Sequence, residues 1–235
     1  MLRSRTDAGV TTLTLDRPER GNALAADLVE ALLAEVKRAC VDEPVHTLVL
    51  AGQGAHFCTG LDLSDLATCS DGDLLHRLVR IETLLALLWH APMHTVALAQ
   101  GRTWGAGADL FAACERRVAS TDTTFRFPGA QFGIVLGTRR LAERIGVDAA
   151  RRLVSSGGEL DAAAALDLGL ASAIGEASAA RWPMSTLSRD SANAIRAASR
   201  ADHRDADLAA LARSAAQPGL RDRIQTYRER LRGAR

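Results

Sequence analysis

The sequence predicts an α/β fold built on a parallel sheet, and two observations support this. Two short apolar segments, 45–54 and 94–101, have the length and β-branched content that are typical of buried strands. An amphipathic helix precedes each of them, predicted at 22–40 and at 71–91 from apolar residues at helical spacing. Strands that alternate with helices in this order form parallel sheets, because each helix returns the chain to the same edge.

The remaining elements are predicted on the same grounds. The first strand lies within 9–18, where apolar residues alternate with threonine and aspartate before Pro18 ends the segment. After the strand at 94–101, we expect a strand pair around Val118 and Phe125. Helical patterns then follow at 138–146, 148–155 and 161–168.

The C-terminal part of the chain has a different composition. From about residue 178 it is rich in alanine, arginine, aspartate and serine, with few large apolar side chains. Such a segment predicts helices that lack the apolar surface for an independent core. We therefore divide the chain into a core, residues 1–177, and a helical C-terminal region, residues 178–235. The basic end, RDRIQTYRERLRGAR, is interpreted mainly as a solvated helix face.

The composition argues against several classes of partner. The chain has 235 residues, of which 47% are hydrophobic, and a formal net charge of +1. This charge does not indicate binding to nucleic acid or to an anionic membrane. No apolar run approaches the ~18 residues of a membrane span. The four cysteines form no C-x-x-C pair and no zinc-type spacing, which fits a reducing compartment. We expect a soluble, cytoplasmic protein without a bound metal.

Two glycine-centred loops carry the candidate site. LVLAGQGAHFCTGLDL and VALAQGRTWGAGADL each begin as a predicted strand, and ligands bind where parallel strands end. The second loop enters a predicted helix, whose first N–H groups have no partner within the helix. One such N–H from each loop could converge on a single carbonyl oxygen as an oxyanion hole, worth ~3 kcal/mol per donor. The alternative is that Gly60, Gly105 and Gly107 serve only tight turns and close packing.

Four longer segments support a family resemblance. They are TLTLDRPERGNALAADLVEAL, LVLAGQGAHFCTGLDLSDL, GRTWGAGADLFAACERRVASTDTTFRFPGAQFGI and SGGELDAAAALDLGLASAI. Their order and spacing resemble the enoyl-CoA hydratase/isomerase (crotonase) superfamily over residues 9–176. The resemblance implies a crotonase-like spiral of stacked ββα units with a helical C-terminal region, assembled as a homotrimer or hexamer. It also implies an acyl-CoA thioester as substrate, with no cofactor besides the coenzyme A of that thioester.

The resemblance assigns residues to the substrate site. The family's oxyanion donors correspond to the backbone N–H groups of Leu61, in FCTGLDL, and of Ala106, in GAGAD. Backbone donation does not depend on the side chain, so alanine is acceptable where the family has glycine. The resemblance further implies that these residues contact the substrate: Cys58, Gly60, Asp62, Leu63, Ser64, Gly105, Gly107 and Gly129.

The acid–base residues depart from the family pattern. Family hydratases use two glutamates, and the corresponding positions here are Asp109 and Gly129, which has no side chain. Standard two-glutamate hydration is therefore not expected. A single carboxylate at Asp109 can still move a proton between carbons beside a thioester enolate. Glu82 is a second candidate acid, and the alternative is a solvated residue on the polar face of its helix.

Three functions follow from this pattern. The first is a hydratase/isomerase-like enzyme that stabilises a thioester enolate. The second is a non-catalytic or assisting protein that binds an acyl-CoA or a partner enzyme, as the glycine at position 129 suggests. The third, more remote, is an acyl-CoA thioesterase or decarboxylase that uses the same oxyanion hole.

Other residues are interpreted as structural. The side chains of Cys58 and Cys114 are expected in the core, and His56 is expected to point away from the site. Since family trimers bury their C-terminal helices, the resemblance implies that Ile224, Tyr227 and Leu231 lie at a subunit interface. An alternative role for the neighbouring arginines is contact with the coenzyme A phosphates.

Overall fold

The computed structural model of the chain describes residues 1–175 and 188–233. The predicted boundary between residues 177 and 178 lies outside the described residues. The strands are β1 (Leu2–Asp7), β2 (Val10–Leu15), β3 (Thr47–Gly52), β4 (His94–Ala99), β5 (Arg102–Trp104), β6 (Arg116–Ala119), β7 (Thr124–Arg126), β8 (Glu159–Asp161) and β9 (Ala173–Ile174). The helices are α1 (Ala26–Val41), α2 (Asp71–Trp89), α3 (Ala106–Ala113), α4 (Thr138–Ile145), α5 (Val147–Ser156), α6 (Ala162–Asp167), α7 (Arg189–Ser199), α8 (Arg204–Ala215) and α9 (Leu220–Gly233).

The described strands form two sheets. The larger has the order β1-β2-β3-β4-β6-β9, and the smaller has the order β5-β7-β8. In the larger sheet β1 and β2 form an antiparallel hairpin, and all the other pairs are parallel. The predicted α/β class with a parallel sheet is therefore confirmed.

The main core lies between the larger sheet and the helices. The apolar stripe of α1, which includes Leu28, Leu32 and Val36, is buried in one cluster with residues of β3 and α2. Helix α2 begins with a capping box in which Ser70 and Asp73 satisfy each other's backbone N–H groups. These elements agree with the predicted ones to within a few residues, as do β2, β4, α4, α5 and α6.

The expectation of a strand pair around Val118 and Phe125 is wrong in one respect. Both strands exist, but β6 belongs to the larger sheet and β7 to the smaller one. The chain turns between them, where Ser120 N–H donates to the Ala99 carbonyl and Thr124 N–H to the Gly101 carbonyl. Consequently the chain passes from β4 to β5 and from β6 to β7 side by side, across both sheets.

The C-terminal helices share a core with α2. Leu211 and Ala215 of α8 and Leu220 and Ile224 of α9 are buried in a second cluster, completed by Leu66, Cys69, Leu74, Leu78 and Ile134. This arrangement agrees with the expectation that the region lacks an independent core. The interface assignment of Ile224 is wrong, because Ile224 is only 1% exposed within its own chain. The resemblance implied that Ile224 is covered by another subunit, whereas residues of its own chain cover it.

A carboxylate of α2 fixes the start of α9. Asp71 accepts hydrogen bonds from the N–H groups of Gly219, Leu220 and Arg221 at 2.8–3.1 Å. Helix N-termini favour such an acceptor because their first N–H groups have no partner within the helix. Within the described ranges, the helices are too short or too polar to cross a membrane.

The shared second core predicts a difference between two leucines of α8. Leu211→Ala should lower the free energy of unfolding by about 2–5 kcal/mol, because it removes a buried side chain. Leu208→Ala, the matched control, should cost less than about 1 kcal/mol, since Leu208 is 38% exposed. Urea unfolding of both variants checks the difference. Equal costs would contradict the packing of α8 through Leu211.

Candidate functional site

The two glycine-centred loops pack directly against each other. The Cys58 carbonyl accepts a hydrogen bond from Trp104 N–H at 3.0 Å. Gly60 has a φ of +96°, and a Cβ there would lie 2.9 Å from the Trp104 carbonyl oxygen. A Cβ on Gly107 would lie 2.1 Å from the Cys58 carbonyl oxygen. A side chain at either glycine would therefore force the loops apart.

This packing brings Leu61 and Ala106, one from each loop, to the same cavity. Ala106 is the first residue of α3, and the position of a Gly60 Cβ would be 3.4 Å from its nitrogen. Leu61 follows Gly60 directly, and both Leu61 and Ala106 line the cavity. Among the described residues, neither Leu61 N–H nor Ala106 N–H has an acceptor. Two buried or half-buried donors thus remain available to a ligand.

The cavity is mainly apolar and has a volume of about 210 Å³. Its walls come from both loops, from the short 3-10 helix Pro128–Phe132 and from α9. Apolar side chains predominate: Leu61, Leu63, Leu78, Phe127, Phe132, Ile134, Leu136, Val154, Ile224 and Leu231. The polar side chains at its walls are Thr59, Trp104, Asp109, Arg126, Thr138 and Tyr227.

Asp109 lies in the first turn of α3 and is 6% exposed. It packs against Gly137, where a Cβ would lie 2.1 Å from the Asp109 Oδ1. That oxygen has no hydrogen-bond partner among the described residues. Burial, and then the negative charge of Glu82, raise the pKa of the Asp109 carboxyl well above its ordinary value, while Arg140 opposes the shift. The protein therefore favours the protonated form of this acid.

Gly129 lines the same cavity and lies in the 3-10 helix Pro128–Phe132. Its carbonyl accepts a hydrogen bond from Ile134 N–H at 2.9 Å. A Cβ on Gly129 would lie 3.1 Å from the Ile134 carbonyl oxygen, which leaves little room for a side chain. Within the described part of the chain, Asp109 is thus the only carboxylate that lines the cavity.

Glu82 is not at the cavity, and the interpretation as a solvated residue is wrong. Glu82 is 2% exposed, and both of its carboxylate oxygens accept from Arg140, at 2.5 and 3.0 Å. Helical spacing placed Glu82 outside the apolar stripe of α2. The partner that allows its burial is 58 residues further along the chain, so local spacing cannot reveal it.

The structure separates the other predicted substrate contacts into two groups. Gly60, Leu63, Gly105 and Gly129 line the cavity, together with Leu61, Ala106 and Asp109. Cys58, Asp62, Ser64 and Gly107 lie behind it and hold the loops. Asp62 forms an ion pair with Arg17 at 2.9 Å and accepts from Ser64 N–H at 2.9 Å. Burial raises the pKa of the Cys58 thiol to about 12, so this side chain is a core residue rather than a nucleophile.

Three other residues considered in the sequence analysis do not line the cavity. His56 lies outside the cavity, and its Nδ1 accepts from Arg102 N–H at 3.2 Å. Cys114 is buried, and all four cysteines are free. Arg228 donates to the Leu63 carbonyl at 3.1 Å, which anchors α9 to the first loop.

Tyr227 and Leu231, expected at an interface, face the cavity of their own chain. The Tyr227 ring lies 5.3 Å from that of Phe132. Thr138 is a cavity residue that the sequence analysis missed. The sequence feature that could have identified Thr138 is its position at the start of the helix predicted at 138–146, immediately after Gly137.

The described strands and helices thus form an α/β fold with a parallel-rich sheet, and both glycine-centred loops line one apolar cavity. Residues 5–230 match the family model for enoyl-CoA hydratase/isomerase. The chain belongs to the enoyl-CoA hydratase/isomerase family.

Individual relatives agree with this assignment. A crystal structure from Bordetella parapertussis, described as a "putative enoyl-CoA hydratase/isomerase", is 43% identical, with a TM-score of 0.92 over 96% of this chain and 97% of that one. A "probable enoyl-CoA hydratase echA6" of Mycobacterium tuberculosis is 37% identical over 177 residues, which are 74% of this chain and 70% of the relative. These similarities confirm the crotonase fold that the sequence resemblance implied.

The buried acid predicts a stability effect that depends on pH. The pKa of Asp109 is higher in the folded chain than in the unfolded chain, so the folded chain binds the proton more tightly. Stability from this group is complete below the unfolded pKa of about 3.9 and is lost as the pH rises towards the folded pKa. Asp109→Asn removes this titration. It should therefore gain stability relative to wild type as the pH rises above about 4.

Urea unfolding of both proteins across this pH range measures the difference. Asp7→Asn is the control, since Asp7 lies exposed at the edge of the larger sheet and should show no such trend. A constant difference between Asp109→Asn and wild type at all pH values would show that Asp109 titrates alike in both states.

Proposed function

We propose that the chain is an acyl-CoA-binding enzyme that polarises a thioester carbonyl with the N–H groups of Leu61 and Ala106. The observation that supports this best is the pair of donors without acceptors at one apolar cavity. A thioester oxygen accepts both hydrogen bonds. These bonds strengthen when the α-carbon loses a proton and negative charge develops on that oxygen, and each contributes ~3 kcal/mol. The apolar walls suit a hydrocarbon acyl chain.

Asp109 is the proposed proton carrier. A raised pKa has two consequences: the carboxylate is a stronger base, and the acid form persists to higher pH than for an ordinary aspartate. In a double-bond shift, the Asp109 carboxylate takes a proton from one carbon of the acyl chain. The electron pair delocalises into the enolate, and Asp109 returns the proton two carbons further along. One carboxyl group is sufficient for this cycle.

Hydration is less compatible with this site. Addition of water requires a group that orients and deprotonates the water, besides a proton source at the α-carbon. Gly129 provides no such group, and the cavity offers no second carboxylate among the described residues. We therefore favour isomerisation of an unsaturated acyl-CoA over hydration.

A second candidate function is acyl-CoA binding without chemistry, alone or for a partner enzyme. The glycine at position 129 is the specific observation that favours it, because family hydratases carry their second acid there. The donors and the apolar cavity would hold a thioester in either case, so only the chemical step distinguishes the two functions.

Ala106→Pro tests the oxyanion hole. Proline at the first position of a helix removes the N–H without breaking the helix, so the fold should persist. Isomerisation of a 3-enoyl-CoA should fall about 10²- to 10³-fold. Val147→Pro is the matched control, since Val147 is also the first residue of a helix after a glycine with positive φ. A folded Ala106→Pro variant with wild-type turnover would rule out donation by Ala106.

Asp109→Asn tests the proton carrier. Exchange of the α-protons of butyryl-CoA with deuterium oxide should fall about 10²- to 10⁴-fold. Calorimetry should show butyryl-CoA binding close to that of wild type, since asparagine has nearly the same shape as the aspartate that it replaces. Exchange at the wild-type rate would exclude Asp109 as the base. Tight binding by the wild type without exchange or isomerisation would instead support the second candidate function.

A further inference from the structure

A chain of buried charges connects α2, α4 and α8 behind Asp109. Arg140 of α4 is 1% exposed and holds the Glu82 carboxylate of α2 with two hydrogen bonds. The same guanidinium lies 3.2 Å from the carboxylate of Asp207 in α8. Arg139 also binds Asp207, with hydrogen bonds of 2.7–3.1 Å. We refer to Glu82, Arg139, Arg140 and Asp207 as the charge network.

The two guanidinium groups of the charge network already have acidic partners without Asp109. Arg140 pairs with Glu82 and Asp207, and Arg139 pairs with Asp207 and with Glu143 of its own helix. An ionised Asp109 would add an uncompensated negative charge to a buried region, which is costly at low dielectric. His90 at the end of α2 is a further titratable group near Arg139 and Arg140. Its pKa is lowered by burial and, despite Asp202, by nearby arginines, which keeps it neutral.

Asp109 is in contact with this network through the elements that carry it. Helix α3 packs on α2 and on α4, and Gly137, just before α4, touches the Asp109 carboxyl. The Asp109 Oδ1 and the Arg140 Nε are both buried without a partner among the described residues. Arg140 therefore directs its hydrogen-bonding groups to Glu82 and Asp207, and leaves Asp109 without an ionic partner.

We propose that Glu82 and Asp207 are positioning residues that occupy Arg140 and thereby leave Asp109 at the cavity without an ionic partner, so that its carboxylate is a stronger base. Helix α8, part of the C-terminal region, then belongs to the active site although it contributes no residue to the cavity wall. The proposed function enters this inference only as the use to which this carboxyl group is put. The direction of the pKa of Asp109, raised by burial and by Glu82 and opposed by Arg140, agrees with the geometry.

Removal of either carboxylate should lower the proton affinity of Asp109. Glu82→Gln keeps the shape of the side chain but removes its negative charge, and it leaves the Arg140 charge partly uncompensated. Asp207→Asn has the same effect from α8, where the side chain is nearer the surface and substitution is safer for folding. We expect either change to decrease the proton affinity about tenfold or more, which is about one pH unit in the midpoint.

The measurement is the titration of the Asp109 carboxyl carbon by NMR in protein labelled with ¹³C-aspartate, without substrate. The Asp109→Asn spectrum assigns the signal. Glu115→Gln is the matched control: Glu115 pairs with Arg196 of α7, and so also ties a C-terminal helix to the core, but away from Asp109. Its Asp109 midpoint should equal that of wild type.

The outcomes are distinct. A downward shift in Glu82→Gln and Asp207→Asn, with none in Glu115→Gln, supports the proposal. An unchanged or raised midpoint in a folded Asp207→Asn variant overturns it, even if Glu82→Gln fails to fold. The titration requires no turnover. An inactive wild-type protein would therefore refute the proposed function, while the titration would still test the role of Glu82 and Asp207.

Discussion

The close approach of two loop backbones is the constraint on which the rest of the site depends. Gly60 faces the turn at Trp104–Ala106, and Gly107 lies against the Cys58 carbonyl, with no space for a Cβ at either position. This contact places Leu61 and Ala106, which are far apart in sequence, at one cavity. The donors that we propose belong to a helix start and to a bridged loop. Preorganisation makes a backbone donor effective in stabilising charge.

The path of the chain between the two sheets supports this contact between the loops. The chain leaves the larger sheet after β4 and enters the smaller one at β5, and it repeats the same passage from β6 to β7. As a result the Arg126 carbonyl of β7 accepts the Gly105 N–H at 2.8 Å and fixes the residue before the α3 start. The 3-10 helix that follows β7 then lines the cavity together with the loops. The position of Gly129 therefore depends on the same strand that binds the residue before α3.

The sequence predicts those elements whose own residues show a clear pattern. The spacing of apolar residues and the turn residues predicted α1, α2, β3 and β4, because each of them buries a continuous apolar face or segment. Strand β1, LRSRTD, was missed because most of its side chains are exposed and it is held by backbone pairing with β2. The three-residue strands β5 and β8 are too short to show an alternation of apolar and polar residues. The ion pair between Glu82 and Arg140 could not be predicted from the sequence, because its two residues lie on helices that are distant along the chain and meet only in the folded structure.

The charge network bears on how a site with one carboxyl group can operate. With two carboxylates at a cavity, each can raise the pKa of the other and divide the roles of acid and base. Gly129 removes that partner, so the negative charge that acts on Asp109 must come from outside the cavity. Glu82 supplies it from α2. Its partner Arg140 is shared with Asp207 of α8. In this proposal, α8 is coupled electrostatically to Asp109, the one acid that the described residues place at the cavity.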